Sequence, residues 1–123
     1  MKKINISEKF RQFDDLWSPK VIGELNGQQV KLAKVQGVFV WHAHEYEDEL
    51  FMVQKGTLIM EFRDRTVEVG PGECIIVPRG IEHNPRTKHG EIVHLLLFEP
   101  IDIKHTGEVE DAKTVKTYEW LDD

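Results

Sequence analysis

The feature that most constrains this chain is its punctuation. From about residue 20 onward, short runs rich in β-branched and aromatic residues are cut off by glycine, proline or asparagine at intervals of roughly ten residues. Residues 21–25, 29–35, 38–44, 49–54, 57–62, 66–69, 74–77 and 92–99 read as strands. The interruptions are turn signals: Asn26-Gly27, Gly37, Lys55-Gly56, the charged Arg63-Asp64-Arg65, Gly70-Pro71-Gly72, Pro78-Arg79-Gly80 and Pro100. No gap has room for a crossover helix, so a parallel α/β fold is disfavoured. The expectation is an all-β, antiparallel sandwich or barrel. Ahead of it, Phe10, Phe13, Leu16 and Trp17 suggest a short amphipathic turn or helix, closed by Ser18-Pro19. The polar tail from Asp102 is expected to pack over the barrel, with an edge strand in residues 114–121.

Length and charge narrow the function. A chain of 123 residues is expected to form one domain, residues 1–123, with a core that needs no disulfides. A formal net charge of −6 argues against nucleic-acid partners. Cys74 is the only cysteine, so no internal disulfide forms. The two lysines near the start precede no apolar stretch, and no run is long enough to span a bilayer. A cytoplasmic protein without membrane partners is the expectation.

Four residues point to metal chemistry. His42 and His44, at i and i+2 on a strand, share a face. Glu49 opens the next run, on the face of Phe51 and Val53. A carboxylate on an apolar inner face is costly unless a cation neutralises it. His83, after the Pro78-Arg79-Gly80 turn and at the head of another strand, can supply a third imidazole. Three imidazoles and one carboxylate suit one divalent transition metal per chain, Fe, Mn, Ni, Co, Cu or Zn, rather than Ca²⁺ or Mg²⁺. Around a six-coordinate ion they leave two positions for water or substrate.

These residues and their spacing resemble the cupin family. Its first motif runs here from Gly37 through His42, His44 and Glu49 to Gly56, with one residue fewer than usual between Gly37 and His42. Its second runs from Gly72 through Pro78, Gly80 and His83, with Thr87 where the family has asparagine, a position that is not usually a ligand. Together they span residues 37–87. The resemblance implies a jelly-roll β-barrel with His42, His44, Glu49 and His83 as metal ligands. Small stand-alone cupins similar to mannose-6-phosphate isomerase are the nearest type, a likeness of fold and not of activity. Two classes of function follow. One is a metal-dependent enzyme, oxygenase or isomerase, acting on a small polar molecule inside the barrel. The other is a cupin that binds a sugar or small effector without catalysis.

Other residues carry weaker signals. His94 is either a group near the metal or, the preferred reading, a histidine of the core or of a subunit interface. His89 and His105 read as solvated. Cys74, in an apolar run with no basic neighbour, reads as a buried inert thiol. Glu45, Glu47 and Asp48 form an acidic, solvated loop at the mouth of the site, while Arg63, Arg65 and Arg79 are turn residues. Phe39 and Trp41 are expected on the face opposite the ligands, covered by another sheet, the N-terminal segment or the second subunit of a homodimer.

Overall fold

The computed structural model describes residues 1–101, 107 and 117–122. Strand β1 (Lys20–Leu25) returns through Asn26 and Gly27 into β2 (Gln28–Val35). Both turn residues have positive φ, 50° and 76°, as a two-residue type I′ hairpin requires. There follow β3 (Glu49–Lys55), β4 (Leu58–Phe62), β5 (Thr66–Val69), β6 (Cys74–Val77), β7 (His83–Thr87), β8 (Val93–Pro100) and β9 (Glu119–Trp120). They form two sheets, in the orders β6-β3-β8-β2-β1-β9 and β5-β4-β7. The pairings are antiparallel, except that β9 lies parallel to β1. This is a two-sheet jelly roll. The edge strand expected in the tail is present as β9, while residues 114–116 and His105 lie outside the described residues.

The core lies between the sheets. Val35, Phe51, Val53, Leu95 and Leu97 from the larger sheet meet Leu58, Met60 and Val69 from the smaller one. Strand β8 alternates strictly, with Val93, Leu95, Leu97 and Glu99 buried and His94, Leu96 and Phe98 half-buried on the other face. That second face is covered in part by the N-terminal segment. Helix α1 (Ile6–Phe10) is capped by Asn5, whose side chain accepts the Glu8 N–H at 3.1 Å. Phe10 and Phe13 pack on Leu32 of β2. Central strand β2 is therefore buried on both faces.

Residues 38–44 depart from expectation. They form no continuous strand and touch β7 only through isolated bridges, Val38 to Arg86 and His42 to His83. Pro85 in β7 is the physical reason. It has no N–H, so it can accept from Phe39 at 3.0 Å but cannot return a bond, and the ladder breaks between the bridges.

Gly56, in the β3–β4 turn, has φ +85°, and an added Cβ would sit 3.0 Å from Val93 Cγ2 and 3.2 Å from the Ile92 carbonyl oxygen. Only glycine holds this turn without strain.

Leu58 is fully buried between the sheets, whereas Ile76 is 60% exposed. Urea unfolding should show Leu58→Ala losing about 2–5 kcal/mol. Ile76→Ala should stay within about 0.5 kcal/mol of the parent. Equal losses at the two sites would contradict the placement of the core.

Candidate metal centre

His42, His44, Glu49 and His83 come together. They are 3%, 4%, 2% and 0% exposed. One ligand atom from each lies within 4.8 Å of all the others, so the group could hold a metal ion. The backbone does the positioning. His42 and His83 exchange both main-chain hydrogen bonds, at 3.0 and 2.9 Å. The His44 carbonyl accepts from Gly80 N–H at 2.8 Å, which ties it to the turn just before His83. Glu49 begins β3 with Phe51 and Val53 on its face, as its alternation predicts.

Ring orientation favours a cation. His42 Nδ1 lies 2.9 Å from the Val40 carbonyl oxygen, and His83 Nδ1 lies 2.9 Å from that of Ile81. A carbonyl only accepts, so each Nδ1 carries a proton, and a neutral ring then turns the lone pair of Nε2 toward the cluster. His83 Nε2 and Glu49 Oε1 are buried without a hydrogen-bond partner. Glu49 Oε1 lies 3.2 Å from His44 Nε2. Buried donor atoms left facing one another are what a divalent ion would satisfy.

The chain shares this arrangement with known proteins. The family model described as Cupin domain matches residues 28–99. The chain belongs to the cupin family. A solved cupin-2 domain protein from Shewanella frigidimarina NCIMB 400 is 45% identical, with a TM-score of 0.76 over 79% of this chain and 93% of that one. Protein NMB1881 from Neisseria meningitidis is 28% identical, with a TM-score of 0.72 over 80% and 99%. The uncharacterized protein YdbB of Bacillus subtilis (strain 168) is 36% identical over 67 residues, 54% of this chain and 59% of that protein's length.

In this cupin the His/Glu cluster borders an apolar chamber of about 30 Å³. Trp17, Val35, Phe39, Phe51, Leu95 and Leu97 line it, with His42 and Glu49 its only ionisable walls. Phe39 is thus buried, not on the face opposite the ligands. Trp17 stacks on it with ring centroids 4.5 Å apart, so the N-terminal segment, one of the three covers expected, shields it. Trp17 holds an unusual left-handed φ of 57°, fixed by its own N–H to Lys34 O and its indole N–H to Gln36 O, both at 2.9 Å.

The structure also places the other residues singled out in the sequence. His94 points away from the cluster and stacks on Phe10 at 4.5 Å; burial, then Lys34 and Lys55, hold its pKa below the ordinary value. Cys74 is exposed rather than buried, because β6 is an edge strand of the larger sheet and turns Cys74 outward. Asp48 and Arg79 are partners. Arg79 donates its N–H to Asp48 at 2.9 Å and its guanidinium at 3.3 Å, which ties the acidic loop to the turn before His83. Arg63 pairs with Glu82 at 3.0 Å and lies 3.8 Å over the ring of Trp41. Among the described residues no helix is long and apolar enough to cross a membrane.

Two residues that the sequence reading missed sit behind the cluster. Lys31 and Glu99, both 0% exposed, pair at 2.9 Å. Glu99 lies against Glu49, and burial together with the Glu49 charge raises its pKa well above the usual range. Burial raises Glu49 as well, while Glu99 and Lys31 pull it back. The signal was available in β8. Val93, Leu95 and Leu97 at period two place Glu99 inward, by the logic that placed Glu49.

Burial lowers His83 from its ordinary 6.5 to about 4, against the hydrogen bond to Ile81, with His44 adding to the drop. The unfolded chain gains a proton near pH 6.5 that the metal-free fold refuses until about pH 4. The stability that His83 contributes is therefore complete above pH 6.5 and is lost as pH falls to 4. Glu49 and Glu99 act in the opposite sense, so the comparison must be with His83→Gln. The stability difference between parent and variant should shrink with falling pH by up to about 1.4 kcal/mol per pH unit. A difference that does not change between pH 7 and 4 would show that His83 is not buried and neutral.

Proposed function

We propose that this cupin binds one divalent transition metal through His42, His44, Glu49 and His83 and works as a metal-dependent enzyme on a small molecule. The observation that carries the reading is the convergence of four buried donor groups, two of which, His42 and Glu49, line an apolar chamber. An ion there supplies Lewis acidity, and redox chemistry if it is iron or manganese. The protein residues bind and orient the ion, and Trp17, Phe39 and Phe51 keep bulk water from it.

The chamber walls narrow the choice between oxygenase and isomerase chemistry. A sugar carries several hydroxyls, and burying each without a hydrogen-bond partner is costly. This chamber offers polar groups only at its metal end, and its about 30 Å³ holds about two water-sized groups. Both facts favour a ligand that brings one or two oxygen atoms to the ion and little else that is polar, as oxygenase substrates can. The second reading, a binding module without catalysis, shares this site and differs only in turnover.

Protein stripped of metal and reloaded with Co²⁺ should take up about one ion per chain, and His83→Ala should weaken uptake at least about tenfold. Azide should then bind the loaded protein and alter its visible spectrum, because positions remain open. Glu49→Gln should fold and lose turnover out of proportion to its loss of metal. If azide leaves every metal form unchanged, and diketones, keto acids and sugars give neither turnover nor oxygen uptake, the enzyme reading fails and the binding module stands.

A further inference from the structure

The larger sheet buries two glutamates side by side where either one alone would be costly. In the β3–β8 pairing Leu50 faces Phe98, so one step along Glu49 meets Glu99 on the inner face. Like charges directly opposite on neighbouring strands repel, and here water is excluded from both, at 2% and 0% exposure. Lys31 answers this arrangement. It stands on β2 opposite Leu97, diagonal to Glu99, and its ammonium reaches Glu99 Oε1 at 2.9 Å. On its other side the ammonium lies 3.6 Å over the ring of Tyr118, which seals it from solvent. A buried lysine with a carboxylate partner and an aromatic cover is too expensive to be incidental packing, because apolar residues of the same size would serve the core as well.

Tyr118 covers Lys31, Lys31 pairs with Glu99, Glu99 stands opposite Glu49 across the β3–β8 pairing, and Glu49 Oε1 lies 3.2 Å from His44 Nε2. We propose that Glu99, held in place by Lys31, is a positioning residue that fixes the Glu49 carboxylate so that one oxygen, Oε1, faces the three histidines. A carboxylate free to rotate could grip the ion with both oxygens and take up a position that an incoming ligand needs. Glu99, opposite it across the strand pairing, and the histidines on its other side would hold it to one orientation. This inference rests on the reading of His42, His44, Glu49 and His83 as metal ligands.

The test uses Co²⁺ affinity, by competition with a chelator, together with the visible spectrum of the Co²⁺ form, neither of which requires an activity. Glu99→Gln should lose metal affinity about 10–100-fold and show an altered band shape and intensity. The double variant Lys31→Met/Glu99→Leu removes both charges at nearly constant volume, a replacement that buried ion pairs usually tolerate. It should fold and show the same loss and the same spectral change. If the folded double variant keeps parental affinity and spectrum, the pair only fills space and the proposal is overturned. Failure of both variants to fold would overturn it too, by making the pair a structural requirement of the barrel. A parent protein that takes up no Co²⁺ would instead sink the metal reading itself, a result separate from either of these.

Discussion

The structure turns on one expensive act, the burial of the Glu49 carboxylate at 2% exposure inside a sheet sandwich. A charge taken out of water needs compensation close at hand, or it is neutralised. Two sources of compensation converge on Glu49. On one side stand His42, His44 and His83, with ring orientations that suit a shared cation. On the other, Lys31 reaches it through Glu99. Neither arrangement is local in sequence. The sheets exist to bring β2, β3, β8 and the 38–44 segment into register around a single carboxylate.

That dependence explains the turns. Gly80 donates to the His44 carbonyl, Asp48 clamps Arg79, and His42 and His83 bridge each other's backbones. Each contact links a ligand-bearing segment to another across the mouth of the barrel. The exposed Asp48–Arg79 pair adds little stability by itself, since pairs on the surface are screened by water. Its effect is geometric, because it holds the loop that delivers Glu49 against the turn that delivers His83.

Much of this was legible in the sequence, for physical reasons. Strand runs and turn residues carry local information, so the β1–β2 hairpin at Asn26-Gly27 and the strands from Glu49 to Val77 appear where alternation and glycines place them. The convergence of His42, His44, Glu49 and His83 was legible because these groups are chemically unusual on inner faces. What the sequence hid depends on what covers each face. In β2 the outward Val30 and Leu32 look like core positions, and Lys31 looks solvated, because the N-terminal helix buries the outer face. Phe39 is shielded within the chain by Trp17 of the N-terminal segment, one of the three covers that its sequence context allowed. Residues 38–44 look like a strand by composition, yet Pro85 in their partner interrupts the ladder.

X-ray absorption at the metal edge of the reloaded protein is the most direct test of the central claim. The account predicts a first shell of three imidazole nitrogens and one carboxylate oxygen at about 2.0–2.2 Å, completed by light, exchangeable atoms. It also predicts the ring scattering of three histidines beyond that shell. A shell of oxygens alone, or one unaltered by the double variant His42→Ala/His44→Ala, would contradict it.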